Sequence, residues 1–274
     1  MADCNHNCES CGVENCSERQ IEKAKPNEYT TIKHCYAIMS GKGGVGKSLV
    51  TSLLASTLNK RGKSVAIIDA DVTGPSIPQA FGLKGKFAQS DEQYLYPVMS
   101  KHGVKIMSAN LLMQDEEAPI VWRGPIVSGF VKQLYTDVTY GDVDYMFIDM
   151  PPGTSDIPLT VFQMIPVDGV IVVTSPQELV SMVVSKSMNM AKMMYIPMVG
   201  VVQNMSYIKC PKCNEKIYVY GNEHSIENIE KQGVKVVAEI PIDPKLSALV
   251  DKGEIEEYET RDLDALVSLL EQYK

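Results

Sequence analysis

Between positions 41 and 48 the chain reads Gly41-Lys42-Gly43-Gly44-Val45-Gly46-Lys47-Ser48, which fits the pattern G-x-x-x-x-G-K-[ST]. Glycines at that spacing let the backbone curl so that its N–H groups point inward at a phosphate. A helix opening near Leu49 adds the partial positive charge of its N-terminus. Lys47 is then placed to neutralise the outer phosphates and Ser48 to ligate Mg²⁺. The competing reading, a glycine-rich turn that holds no ligand, does not account for the Lys-Ser pair together with its apolar flanks. Two acidic stretches follow other apolar runs: Ile67-Ile68 leads into Asp69-Ala70-Asp71, and Phe147-Ile148 leads into Asp149 and Met150-Pro151-Pro152-Gly153-Thr154. At a Mg²⁺-nucleotide site one strand-terminal Asp can hold the metal or its waters, and a second can orient the attacking water. The alternative for such an Asp is the cap of a turn or helix.

The second chemistry is that of thiols, of which the chain has seven. Cys210-Pro211-Lys212-Cys213 is a C-x-x-C unit, whose spacing turns two thiolates toward one metal. Two ligands are half of a Cys4 site. Nothing near them in sequence supplies the rest, since His224 lies in a polar stretch, whereas a two-fold homodimer would bring four thiolates to its axis. A redox dithiol and half of a zinc ribbon are the competing readings. Cys4, Cys8, Cys11 and Cys16 put four soft ligands within sixteen residues, enough for one complete centre per chain. That centre is a second iron-sulfur cluster or zinc, with His6 as a substitute ligand. Cys35, beside the first apolar run, reads as a buried small hydrophobe. Clustered thiols point to metal in a reducing compartment, not to disulfides.

These groups need a scaffold. Apolar runs of strand length recur at Tyr36–Met39, Val65–Ile68, Tyr145–Ile148, Val170–Val173, Val199–Val202 and Val236–Ala238. Continuous runs of this kind suit strands covered on both faces. Between them, helices are predicted over Lys47–Lys60, Ile126–Val138, Gln177–Met194, Pro244–Lys252 and Asp262–Gln272. The pattern is that of one α/β domain with a doubly wound, mostly parallel sheet of the P-loop NTPase type, with ligands at the strand C-termini. It divides into a Cys-rich metal-binding tail, residues 1–28, and a P-loop nucleotide-binding domain, 29–274, with the C-x-x-C insertion near 205–222. The methionines around 182–198 have helical spacing and read as core or dimer packing.

The 274 residues are 45% hydrophobic and carry a net charge of -8. An acidic balance argues against a nucleic-acid partner that depends on a basic surface. No apolar run is long enough for a membrane span and no secretion signal is seen, so a cytoplasmic protein without a membrane partner is expected.

The Lys at Lys42, the segment Asp69-Ala70-Asp71-Val72-Thr73-Gly74-Pro75-Ser76-Ile77-Pro78, Trp122-Arg123-Gly124-Pro125 and Asp149-Met150-Pro151-Pro152-Gly153-Thr154-Ser155-Asp156 together resemble the Mrp/Nbp family of iron-sulfur cluster carriers. The likeness runs from about His34 to Glu257. These are deviant-Walker ATPases, relatives of MinD, ParA and the nitrogenase iron protein. The resemblance implies ATP as nucleotide. It also implies that Lys42 reaches across a homodimer to the partner's nucleotide, that Asp71 positions the water and that Asp149 senses Mg²⁺. Asn204 would contact adenine, with the loop carrying Pro241 and Asp243 closing over the base. A [4Fe-4S] cluster would bridge Cys210 and Cys213 of both subunits and pass to apo iron-sulfur proteins. The alternative is a MinD/ParA-type positioning ATPase with structural zinc.

Overall fold

The apolar runs become the strands of a central sheet, and the segments between them carry its helical cover. The computed structural model describes residues 23–71, 76–91, 93–113, 124–153, 156–176, 180–220, 225–231 and 233–272. Its strands are β1 (Thr30–Ser40), β2 (Val65–Asp69), β3 (Gln89–Ser90), β4 (Leu95–Tyr96), β5 (Val98–Met99), β6 (Lys105–Ser108), β7 (Gly141–Asp149), β8 (Gly169–Thr174), β9 (Met198–Gln203), β10 (Ile208–Lys209), β11 (Lys216–Ile217) and β12 (Val236–Glu239). The helices are α1 (Lys47–Lys60), α2 (Ser76–Ala80), α3 (Gly124–Thr136), α4 (Asp156–Met164), α5 (Val180–Met193), α6 (Ser225–Glu230), α7 (Pro244–Lys252) and α8 (Asp264–Gln272).

Eight strands form one sheet in the order β12-β9-β8-β1-β7-β2-β6-β5. All neighbours are parallel except β5, which runs against β6 at one edge. Successive side chains of a strand point to opposite faces, and β1 shows the result. Tyr36 and Ile38 join a core with Leu53, Leu54 and Leu58 of α1 and Leu266 and Leu270 of α8. Cys35, Ala37 and Met39 join a second core with Val131 and Leu134 of α3 and Phe162 of α4. Two fully covered faces are the reason that the strands read as unbroken apolar runs. Cys35 is buried as expected, and burial pushes its thiol well above the ordinary range.

Differences from the predicted elements lie at ends and edges. Helix α3 stops at Thr136, two residues early, because Val138 bridges Leu95 and Thr139 N donates to Leu95 O at 2.8 Å. Helix α8 starts at Asp264 and not Asp262, since the backbone N–H of Asp262 bonds back to Thr260 Oγ1 at 3.0 Å. Strand β1 begins at Thr30, where its residues pair with β7 and the His34 ring stacks on Tyr145. The short pieces β5, β6 and α4 have no long apolar run to announce them. Of the methionines near α5, Met188 is buried while Met193 is 75% exposed.

The end of the tail lies against the body. Lys23 Nζ donates to Phe162 O, Ala24 N to Met164 O and Asn27 Nδ2 to Thr139 Oγ1. Cys4, Cys8, Cys11, Cys16, Trp122-Arg123, Val72–Pro75 and Gly221–His224 fall outside the described residues. Among the described residues no helix is long and apolar enough to cross a membrane.

Candidate nucleotide site and thiol hairpin

Strand β1 lies between β8 and β7, so the loop that leaves its C-terminal end emerges beside the last residue of β7, Asp149. The loop needs two left-handed residues, and glycine supplies both, Gly44 with φ 80° and Gly46 with φ 79°. Gly46 is also the N-cap of α1, which places Lys47 and Ser48 in the first turn of that helix.

Their side chains meet Asp149. Lys47 Nζ is 2.6 Å from Asp149 Oδ2, Ser48 Oγ donates to the same oxygen at 2.6 Å, and Thr51 Oγ1 donates to Oδ1 at 2.7 Å. Asp149 is 0% exposed and Lys47 5%, so this pair lies out of water and both carboxylate oxygens have donors. Thr51 is outside the G-x-x-x-x-G-K-[ST] pattern. The signal that could have found it is helical spacing, since positions 47, 48 and 51 share one face of α1. Asp71 Oδ2 stands 3.9 Å from Lys47 Nζ.

Asp69, register partner of Asp149 across β2 and β7, is buried and accepts from Ser108 Oγ at 3.1 Å and from the Asp71 N–H at 3.2 Å. Burial first, and then the Asp149 charge, push its carboxyl well above the usual range, against the pull of Lys47 and the Ser108 bond. Of the two acids in Asp69-Ala70-Asp71, the first therefore belongs to the buried wall and the second faces Lys47. Lys42 lies exposed on the loop.

Asn204 follows β9 and turns toward the P-loop. Its Nδ2 donates to Val45 O at 2.9 Å, and its backbone N–H bonds Thr174 O at 2.8 Å. The approach is close enough that a Cβ on Gly46 would stand 2.2 Å from that nitrogen. Pro241 and Asp243 lie on the neighbouring loop, which is zipped to the Asn204 loop by Ser206 N to Ile240 O and Ile242 N to Tyr207 O. They line a cavity of about 700 Å³ with Tyr258, Ile208, Lys209 and Pro211. Asp243 is held there by accepting from Lys245 N and from Tyr258 Oη, both at 2.8 Å. The two parts expected to meet a base are thus placed differently, Asn204 bonded to the P-loop and the 241–244 loop forming the wall of a cavity.

Cys210 and Cys213 sit at the tip of the antiparallel pair β10–β11. The turn is closed by Cys210 N to Glu215 O and Asn214 N to Cys210 O, both 2.9 Å, with Asn214 at φ 61°. The N–H groups of Cys213 and Lys212, and then the Cys213 thiol, hold the Cys210 thiol below the ordinary value. Stabilised thiolate is what a metal ligand needs. Among the described residues no three His, Cys, Asp or Glu side chains converge as a metal-binding group. Ile217, Val219 and Tyr220, which follow the thiols in the chain, are exposed.

Comparison with known proteins follows the same lines. A family model described as NUBPL iron-transfer P-loop NTPase, of the ParA group, matches residues 31–272. An iron-sulfur cluster carrier protein of Methanocaldococcus jannaschii is 41% identical over 261 residues, 92% of this chain and 90% of that protein. One from Clostridium perfringens is 40% identical over 258 residues, 92% of this chain and 90% of its own length. Among solved structures, the nucleotide-binding protein of Archaeoglobus fulgidus in complex with ADP superposes with a TM-score of 0.75 at 41% identity, covering 89% of this chain and 93% of that one. MinD of Aquifex aeolicus, solved with MinC, has a TM-score of 0.62 at 20% identity, covering 87% and 94%. That last likeness is one of fold alone.

Proposed function

This chain belongs to the family of NUBPL iron-transfer P-loop NTPases, and from that premise we propose that it is a homodimeric ATPase that assembles a [4Fe-4S] cluster on Cys210 and Cys213 of both subunits and delivers it to apo-proteins. The observation that carries the reading is the thiol hairpin: two adjacent thiols, one held toward thiolate, that belong to no group of three or more candidate metal ligands among the described residues. A second copy about a two-fold axis supplies the missing pair. The exposed Ile217, Val219 and Tyr220 that follow the thiols in the chain supply apolar area that such an interface buries. The iron-sulfur carriers among its relatives and the ADP complex of a 41% identical neighbour support cluster and adenine nucleotide respectively. Free thiols in this arrangement fit a reducing cytoplasm.

Bond breaking at the β-γ phosphoanhydride is positional. The N–H groups of Gly41, Gly43, Gly44, Val45, Gly46 and Leu49 cradle phosphates, and Lys47 moves from Asp149 toward the outer ones. Ser48 and Asp149 are hard oxygen donors already in contact and suit Mg²⁺, which when bound neutralises phosphate charge. Asp71, on the open side of Lys47, orients the attacking water. Lys42, exposed on the loop, reaches the partner's nucleotide. Asn204 and the loop of Pro241 and Asp243 hold the adenine end. Outside the described residues, Cys4, Cys8, Cys11 and Cys16 hold a second cluster or zinc.

Anaerobic reconstitution with iron and sulfide tests the reading. The expected result is a dimer whose C210A/C213A variant loses about four iron and four sulfide per dimer, the content of one bridging cluster. Zinc at the hairpin, or a variant that keeps the full iron complement, would overturn it in favour of a positioning ATPase with structural metal.

A further inference from the structure

The hairpin that carries the thiols is small, and its two-residue strands pair with each other and with no strand of the main sheet. A few side chains must therefore set where it stands. Lys216, on β11, is one of these. Its Nζ donates to Glu239 Oε2 at 3.0 Å and lies 4.2 Å from the centre of the Tyr207 ring. The other oxygen of the same carboxylate, Glu239 Oε1, accepts from Ser206 Oγ at 2.8 Å. Ser206 is two residues from Asn204, whose side chain donates to Val45 O inside the P-loop. The residue between them, Met205, has φ 56°, a left-handed conformation that non-glycine residues adopt at some cost. Asn204 and Ser206 therefore sit on one tight turn whose two ends grip different things, the P-loop carbonyl and the carboxylate that holds the hairpin.

We infer that Glu239 and Lys216 are positioning residues that transmit the state of the P-loop to the thiol pair. When phosphate enters the loop, a shift of Val45 O is felt by Asn204, by the turn at Met205, by Ser206 and so by Glu239 and Lys216. Their side chains are 23% and 43% exposed, and ion pairs of that kind add little to stability. A role in placement, not in holding the fold, is what such a pair can supply. The inference rests on the proposed cluster carrier for its biological sense, but its physical content is a linkage between two sites of the metal-free protein.

Pulse alkylation tests it. Full-length protein, reduced, metal-free and anaerobic, is exposed to iodoacetamide with and without a non-hydrolysable ATP analogue and Mg²⁺. Modification of Cys210 and Cys213 is then read by peptide mass spectrometry, with buried Cys35 as the internal control for the fold. In the wild type the analogue should change the rate at the two thiols about fivefold or more, the lower end of ordinary coupling. In Lys216→Met and Glu239→Gln the ratio should fall to about one, while affinity for the analogue and the basal ATPase rate stay at wild-type values. The exchange Lys216→Glu with Glu239→Lys should restore part of it. Variants that keep the wild-type ratio, or wild-type thiols indifferent to bound analogue, overturn the inference. A protein that takes up no cluster at Cys210 and Cys213 yet shows the ratio and its loss would sink the carrier reading and leave the linkage standing.

Discussion

Lys47 Nζ and Asp149 Oδ2 are 2.6 Å apart in a site where neither side chain is more than 5% exposed. The lysine proposed to bind phosphate is thus paired with the carboxylate proposed to hold Mg²⁺. On the proposed function, nucleotide exchanges one anion for another at Lys47, and the freed carboxylate is then at hand for the metal. A charged lysine without such a partner would not remain buried.

Removing one member of the pair should therefore cost more than removing both. Lys47→Met is expected to abolish hydrolysis and to lower the unfolding free energy of the nucleotide-free protein by about 3 kcal/mol, because it strands a buried carboxylate. The Ser48 and Thr51 hydroxyls would be its only donors among the bonds described above. The double variant Lys47→Met with Asp149→Leu should lose less than Lys47→Met alone. Urea denaturation of the three proteins measures both quantities, and a double variant weaker than the single one would contradict the pairing.

Gly46 meets two demands at once, a left-handed backbone and a close approach at which a Cβ would stand 2.2 Å from Asn204 Nδ2. Gly46→Ala should lower stability by about 2 kcal/mol and weaken nucleotide binding. Adding Asn204→Ala removes the clash but not the backbone strain, so it should recover part of the stability and none of the proposed adenine contact. Thermal unfolding together with titration of a fluorescent ATP analogue separates the two effects.

Asp144 supplies a dependence on pH. Lys33 Nζ at 2.7 Å and the Ser64 N–H at 2.8 Å both donate to its carboxylate, and these two bonds, the Lys33 one foremost, hold its pKa below the ordinary value. A folded pKa below the unfolded one means stabilisation that is present above about pH 4, the unfolded value, and lost as pH falls through the folded value. Asp144→Asn should thus cost about 1 kcal/mol at pH 7, and its deficit against the wild type should shrink as denaturation is repeated toward pH 3. A deficit that stays constant across that range would show that the ionised carboxylate is not what holds Ser64 and Lys33.

The nucleotide half of the site was legible because its chemistry is local. The phosphate loop needs φ above zero at set positions, a lysine and a hydroxyl in the next helical turn, and an apolar strand before it, all within about twenty residues of chain. Strand-ending acids are likewise visible, since the change from Ile67-Ile68 or Phe147-Ile148 to Asp marks where a buried strand reaches its end. Which acid faces Lys47 was given by the family resemblance, which named Asp71, and not by local spacing. Asp69 and Asp71 differ by two positions on one stretch, and only the packing of β6, which brings Ser108 to Asp69, separates them. The hairpin was half legible: C-x-x-C declares a pair of ligands but not the backbone N–H groups that lower the Cys210 thiol.

Local order along the chain, then, settled the α/β class, the alternation of strand and helix, the phosphate loop and the grouping of the thiols, because each depends on residues close in sequence whose periodicity or spacing is their own signal. The tertiary structure decided the rest. Thr51 and Lys47 share Asp149 from about a hundred positions away, and Asn204 reaches Val45 across 159. Lys216 finds Glu239 only because β9 and β12 pair at the sheet edge beside the hairpin. Contacts of that range depend on strand order and register, which no single stretch of chain encodes alone.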